Sequence, residues 1–223
     1  MTTAIIVAAG KSERMGAGTD KAFLSLGNRP VVAWSLIAFE RCPEVDRIIL
    51  VVRKDQQLAA KAVVRMFGIS KLQAIVPGGN KRQESVQAGL AACDLDTRYV
   101  LVHDGARPCI RPDVISEVAK LVRRVPAVSV GRKMTDTVKR VEKGSTVSAT
   151  EDRDRLWAVQ TPQAFQIKVI KAAYAGLGKR EVTDDCQAVE LMGETVRIYE
   201  NLAPNFKITT VEDLQIASAV LAK

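Results

Sequence analysis

A single histidine, His103, occurs in 223 residues. Catalytic triads and metal centres that depend on imidazole are therefore nearly excluded. The four cysteines, Cys42, Cys93, Cys109 and Cys186, are widely spaced and form no Cys-x-x-Cys pair. That usage fits reduced thiols in a cytosolic protein and gives no zinc pattern. Aromatic residues make up only 4% of the chain, and no RNA- or DNA-binding motif accompanies them. The longest apolar runs, residues 4–9 and 48–52, are far too short to cross a bilayer. A strand-like run begins almost at the first residue and leads into a glycine loop without a small-residue cleavage site, so a cytoplasmic location is expected.

What is present is an ordinary globular balance, 47% hydrophobic and 26% charged. The formal charge of +8 suits nucleic acid, an anionic membrane or small phosphorylated ligands, and the distribution of the basic residues decides among them. They are scattered along the chain, which argues against a nucleic-acid-binding module. The length suits one α/β domain over residues 1–223.

Continuously apolar stretches at residues 3–7, 47–52, 73–76, 99–102 and 127–130 read as strands covered on both faces of a parallel sheet. Segments 31–40, 56–67, 81–92 and 112–123 carry helical spacing between them. The alternation predicts a three-layer, Rossmann-like α/β fold with a mostly parallel sheet. A further strand at 195–199 and a closing helix at 211–221 complete it. Residues 132–152 break the rhythm: 137–141 and 145–150 alternate on either side of Lys143-Gly144, which reads as a β-hairpin the core does not need. Such an arm either grips a second subunit or is a surface excursion of a monomer.

The first strand runs into residues 8–21, where Gly10, Gly16 and Gly18 permit turns that aim backbone N–H groups at phosphate oxygens. Lys11, Arg14 and Lys21 add positive charge in the same place. A Walker A loop would need glycine at the position of Ile5, and a dinucleotide fingerprint would need glycines at Ser12 and Met15. Both patterns fail, which also weakens an NAD-linked dehydrogenase.

The loop resembles the A-A-G-x-x-x-R-M-x-x-x-x-x-K signature of sugar-nucleotidyltransferases. Later segments narrow the resemblance to the 2-C-methyl-D-erythritol 4-phosphate cytidylyltransferase family. They are Gly78-Gly79-Asn80-Lys81-Arg82-Gln83-Glu84-Ser85-Val86, His103-Asp104-Gly105-Ala106-Arg107-Pro108, Asp136-Thr137-Val138-Lys139-Arg140, residues 153–165 with Leu156-Trp157 and Gln160-Thr161-Pro162-Gln163, Thr183-Asp184-Asp185, and Asn205-Phe206-Lys207-Ile208-Thr209. The resemblance implies CMP transfer from CTP to 2-C-methyl-D-erythritol 4-phosphate, with Mg²⁺ as cofactor and pyrophosphate as product. It implies that Arg14 and Lys21 stabilise charge on the triphosphate. Arg153 and Lys207 would position the acceptor phosphate. Ala8, Ala9, Gly10, Gly79, Asn80 and Ser85 would line the cytidine pocket, while Asp104, Arg107, Thr137 and Thr183 would face the acceptor, Asp104 also serving as a metal ligand. It further implies a homodimer whose β-arm reaches the neighbouring site, placing Thr137 and Arg153 in trans. The chain departs from the family pattern with Asp20 in place of proline, Ala22 in place of glutamine, Asn80 in place of a frequent aspartate and Gly105 in place of alanine. Asp20 could tether Lys21 when no nucleotide is bound.

In such a reaction two anions must meet, so cations are needed and a general base is not, because a phosphate is already ionised at neutral pH. His103, after an apolar strand, is expected to be packed and hydrogen-bonded, and Trp157 to be core. A pentitol phosphate, such as ribitol 5-phosphate, is the rival acceptor.

Overall fold

The computed structural model describes residues 1–10 and 21–222. Arg14, with Lys11, Gly16, Gly18 and Asp20, lies outside the described residues. In chain order the elements are β1 (Thr2–Ala8), β2 (Ser25–Leu26), β3 (Arg29–Pro30), α1 (Val31–Glu40), β4 (Arg47–Val52), α2 (Gln57–Met66), β5 (Leu72–Pro77), α3 (Arg82–Ala91), β6 (Tyr99–Asp104), α4 (Pro112–Leu121) and β7 (Ala127–Lys133). They continue with β8 (Lys139–Lys143), β9 (Thr146–Thr150), β10 (Trp157–Gln166), α5 (Ile167–Gly176), α6 (Asp185–Leu191), β11 (Val196–Glu200) and α7 (Val211–Leu221).

Seven strands form one sheet in the order β11-β7-β10-β6-β1-β4-β5. β10 runs antiparallel to both of its neighbours, and the other pairings are parallel. Side chains alternate across this sheet as the two-residue period requires. Ala4, Ile6, Leu50 and Leu101 point to a layer containing Leu36 and Phe39 of α1, Val63 of α2 and Ile115 and Val118 of α4. Ile5, Ile49, Val51, Val100 and Val102 point to the opposite layer, with Val86 and Leu90 of α3, Ile170 and Tyr174 of α5 and Val189 of α6. Burial on both faces is why these strands are apolar throughout. α1 is apolar almost all round because its other side meets a third cluster, Leu26, Val31, Cys109, Ile208 and Ala217.

Two differences from the sequence reading have physical causes. β10 occupies the middle of the sheet although Trp157–Gln166 reads as a polar motif. Its register shifts between Gln160 and Gln163, and a bulge is where a strand accommodates a proline such as Pro162. The excursion expected over residues 132–152 is shorter, since Arg132 and Lys133 still pair with Ala158 and Trp157 in the main sheet. The separate ladder of β8 and β9 turns at Gly144, whose φ of 62° lies in the left-handed region. Trp157 is half-buried beneath Lys133, with Nζ 5.7 Å from the ring centre, rather than in the core.

Candidate active site

The carboxyl ends of β1 and β6 and the loop entering α3 enclose a cavity lined by Ala8, Ala9, Gly10, Lys21, Gly79, Asn80, Lys81, Arg82, Ser85, Asp104 and Lys207, with Val7, Ala22 and Ala106 completing the wall. This is where open α/β sheets place their ligands. The wall is built for close approach. A Cβ on Gly78 would lie 2.4 Å from Ala9 Cβ and 2.7 Å from Ser85 Oγ, so the glycine lets the β5–α3 loop lie against the end of β1. Ser85 Oγ accepts from Gly79 N at 3.2 Å and donates to the Lys81 carbonyl at 3.3 Å. The Glu84 carboxylate accepts from Asn80 N at 2.7 Å and Lys81 N at 3.2 Å, capping α3 from inside.

Asp104 ends β6 and is buried. Arg82 Nε donates to its Oδ1 at 3.0 Å and Lys207 Nζ to its Oδ2 at 2.7 Å; Arg107 Nε stands 4.0 Å from Oδ2. Burial disfavours the charged carboxylate, but Arg82 and Lys207 outweigh it and hold Asp104 well below the usual carboxylate range. Arg82 is itself shared, its Nη2 donating at 2.9 Å to Asp185 Oδ2. Burial works against its charge, and the two carboxylates more than restore it, pushing the guanidinium upward. Asp185 is fully buried and also accepts from Tyr174 Oη at 2.5 Å.

Lys207 reaches the cavity because the C-terminal segment is pinned beneath it. Ile208 N donates to the Ala106 carbonyl at 2.8 Å, Arg107 Nη1 to the Asn205 carbonyl at 2.7 Å, and Asn205 Nδ2 to the Thr161 carbonyl at 2.9 Å. Asp213 then closes a capping box with Thr210 at the start of α7.

Behind Asp104 the hydrogen-bond directions are fixed by elimination. The Arg107 carbonyl, 3.3 Å from His103 Nε2, can only accept, so Nε2 carries the proton of the neutral ring; Nδ1 then accepts from Thr161 Oγ1 at 3.1 Å, and that hydroxyl accepts from Asp104 N at 3.0 Å. Burial drives the imidazole down from its ordinary 6.5 to about 3. His103 is therefore a neutral, packed strut that does not line the cavity.

The cavity brings together Ala8, Ala9, Gly10, Lys21, Gly79, Asn80, Ser85, Asp104 and Lys207. Arg107, Thr137, Arg153 and Thr183 do not line it, although Arg107 Nε stands 4.0 Å from Asp104. Arg153 is exposed and donates to the Thr135 carbonyl at 2.8 Å. Thr137 is exposed between β7 and β8, and Thr183 is exposed and bonded to Gln187 Oε1 through its N–H at 2.7 Å. Asp184 caps α6, accepting from Gln187 N at 2.8 Å. The sequence reading did not single out Arg82, Lys81 or Asp185. The first two stood inside the motif that supplied Gly79 and Ser85, and their chemistry becomes visible only when α3 begins at Arg82.

Cations on both sides of a buried, ionised carboxylate, above a floor of backbone and small side chains, suit a ligand that is anionic at more than one point. With the sheet order, this defines a nucleotidyltransferase.

The chain belongs to the 2-C-methyl-D-erythritol 4-phosphate cytidylyltransferase family (IspD), whose sequence pattern matches residues 2–223. A protein of that name from Desulforamulus reducens is 40% identical over 223 residues, covering 99% of this chain and 95% of its own. Another from Dehalococcoides mccartyi is 42% identical over 220 residues, covering 99% and 96%. The crystal structure of 4-diphosphocytidyl-2C-methyl-D-erythritol synthase from Anaerococcus prevotii superimposes with a TM-score of 0.88 at 34% identity, covering 100% of this chain and 96% of that one.

Activity in this family is metal-dependent. Among the described residues, no group of three or more His, Cys, Asp or Glu could cage an ion. Mg²⁺ does not need such a cage, since it commonly keeps water and substrate phosphates and takes one or two carboxylates. Asp104, ionised at the cavity wall, is the carboxylate that fits.

Proposed function

We propose that this cavity holds CTP with its base over Ala8, Ala9, Gly79, Asn80 and Ser85 and its triphosphate toward Gly10, Arg14 and Lys21, while Lys207, Asp104 and Arg107 receive 2-C-methyl-D-erythritol 4-phosphate. The reaction is the family's transfer of CMP. An oxygen of the acceptor phosphate bonds to the α-phosphorus, the bond from that phosphorus to the bridging oxygen breaks, and pyrophosphate leaves with the electron pair. Lys21 and Arg14 offset charge developing on the α- and leaving phosphates, and Lys207 offsets that of the incoming one. Bound Mg²⁺ supplies further neutralisation on the triphosphate. No side chain has to remove a proton, which agrees with a neutral His103 held away from the cavity.

The observation that carries this reading is that the Asp104–Lys207 pair and Lys21 line one and the same cavity. We infer further that the 223 residues act as one unit, and that the β8–β9 arm supplies Thr137 and Arg153 to a second copy of the chain. The arm's cross-strand pair Val141 and Val147 is about half exposed, an apolar pairing that the described residues leave uncovered. The partners are thus CTP, the phosphorylated polyol and a second subunit, with no nucleic acid or membrane. Pyrophosphate release with CTP and a panel of methylerythritol, ribitol and glycerol phosphates tests the reaction. Turnover with ribitol 5-phosphate alone would overturn the acceptor assignment.

A further inference from the structure

Arg82 lines the cavity, yet two of its three guanidinium nitrogens are committed to carboxylates: Nε to Asp104 at 3.0 Å and Nη2 to Asp185 at 2.9 Å. Asp185 does not line the cavity. It is 0% exposed, a position that is costly for a carboxylate unless its partners are good ones. They are well arranged. Tyr174 Oη donates to Oδ1, Arg82 to Oδ2, and the Asp185 N–H donates to Gln163 Oε1 at 3.1 Å. Gln163 in turn donates to Asp184 Oδ2 at 2.7 Å, so the start of α6 is fixed to β10 in the sheet centre.

Resting on the acceptor reading above, we propose that Asp185 is a positioning residue for the acceptor half of the site. By holding Arg82 it keeps that cation off the triphosphate and on Asp104, so that the Asp104 carboxylate stays in place when Lys207 turns from it to the acceptor phosphate. Of the three cations around Asp104, Lys207 is the one given up to substrate and Arg107 stands at 4.0 Å. Among the described residues, Arg82 is therefore the close hydrogen-bonded anchor that remains. Asp185 also follows Thr183 by two residues, so the same helix start that anchors Arg82 carries a residue assigned to the acceptor.

The test is Asp185→Asn, which keeps the volume and removes the charge. CTP binding is measured by titration calorimetry with Mg²⁺ and no acceptor; acceptor KM and kcat are measured by pyrophosphate release. The expected result is a CTP Kd equal to or below the parent's, because the released Arg82 is free to meet the triphosphate, with an acceptor KM raised on the order of tenfold. An unchanged acceptor KM overturns the proposal. So does a CTP Kd that rises in parallel with acceptor KM, the pattern of a merely structural loss. Should the Asn variant not fold, Tyr174→Phe removes one hydrogen bond from Asp185 at constant charge; the same split, about threefold in acceptor KM, is expected, and its absence or a parallel rise overturns the role. A parent enzyme that releases no pyrophosphate with any acceptor overturns the functional reading instead, and is told apart by that control.

Discussion

Lys207 Nζ lies 2.7 Å from Asp104 Oδ2, joining the segment before α7 to the last residue of β6. The lysine proposed to meet the acceptor phosphate is thus held by a carboxylate in this structure. Lys207→Ala should raise acceptor KM about 100-fold while changing CTP affinity by less than about threefold. Acceptor titrations at saturating CTP measure the first and calorimetry the second.

His103 gives a clean spectroscopic prediction because no other histidine is present. Its imidazole should keep the Nε2–H tautomer and show no titration between pH 5 and 8 by heteronuclear NMR. A midpoint near 6.5 would refute the buried neutral assignment.

The same group links stability to acidity. Its folded value, about 3, lies below the ordinary 6.5, so below pH 6.5 the unfolded chain binds the proton more readily. Its contribution to stability is fully present above 6.5 and is lost as pH falls toward 3, with a slope of at most about 1.4 kcal/mol per pH unit. Denaturant melts of His103→Gln at pH 7 and pH 5 should show a smaller difference than those of the parent.

Gly78→Ala would place a methyl 2.4 Å from Ala9 Cβ. Overpacking at this site should cost about 1–3 kcal/mol and raise the KM for CTP about tenfold. Gly176→Ala, at the end of α5 with open space around it, is the control and should leave both KM values unchanged.

If Arg153 acts in trans, two inactive proteins should complement each other. Mixing Lys21→Ala with Arg153→Ala and allowing subunits to exchange should restore about a quarter of the sites, since half of the dimers are hybrids with one intact site each. No recovery after verified exchange would place Arg153 in its own chain's site or remove it from the reaction.

The central strands were legible because residues such as Ile48 to Val52 are buried on both sheet faces and so carry an uninterrupted apolar pattern. β10 was not, since Gln160, Thr161 and Gln163 use their polar groups inside the structure: Gln160 against Asn205, Thr161 against Asp104 and His103, Gln163 against Ser129 and Asp184. Asp104 and Lys207 entered through the family motif, whereas the tie between Arg82 and Asp185, 103 residues apart, leaves no periodic signal. A buried ion pair is specified by topology, and local spacing is silent about its partner.

The clasp between Ala106 and Ile208 orders the steps by which the site matures. β1, the β5–α3 loop and Asp104 all emerge from the ribosome before Lys207 does, and among the described residues it is Lys207 that hydrogen-bonds Asp104 Oδ2. A nascent chain stalled short of residue 207 would therefore possess the assigned nucleotide wall without the acceptor's cation, and its cavity could acquire CTP before it could use it.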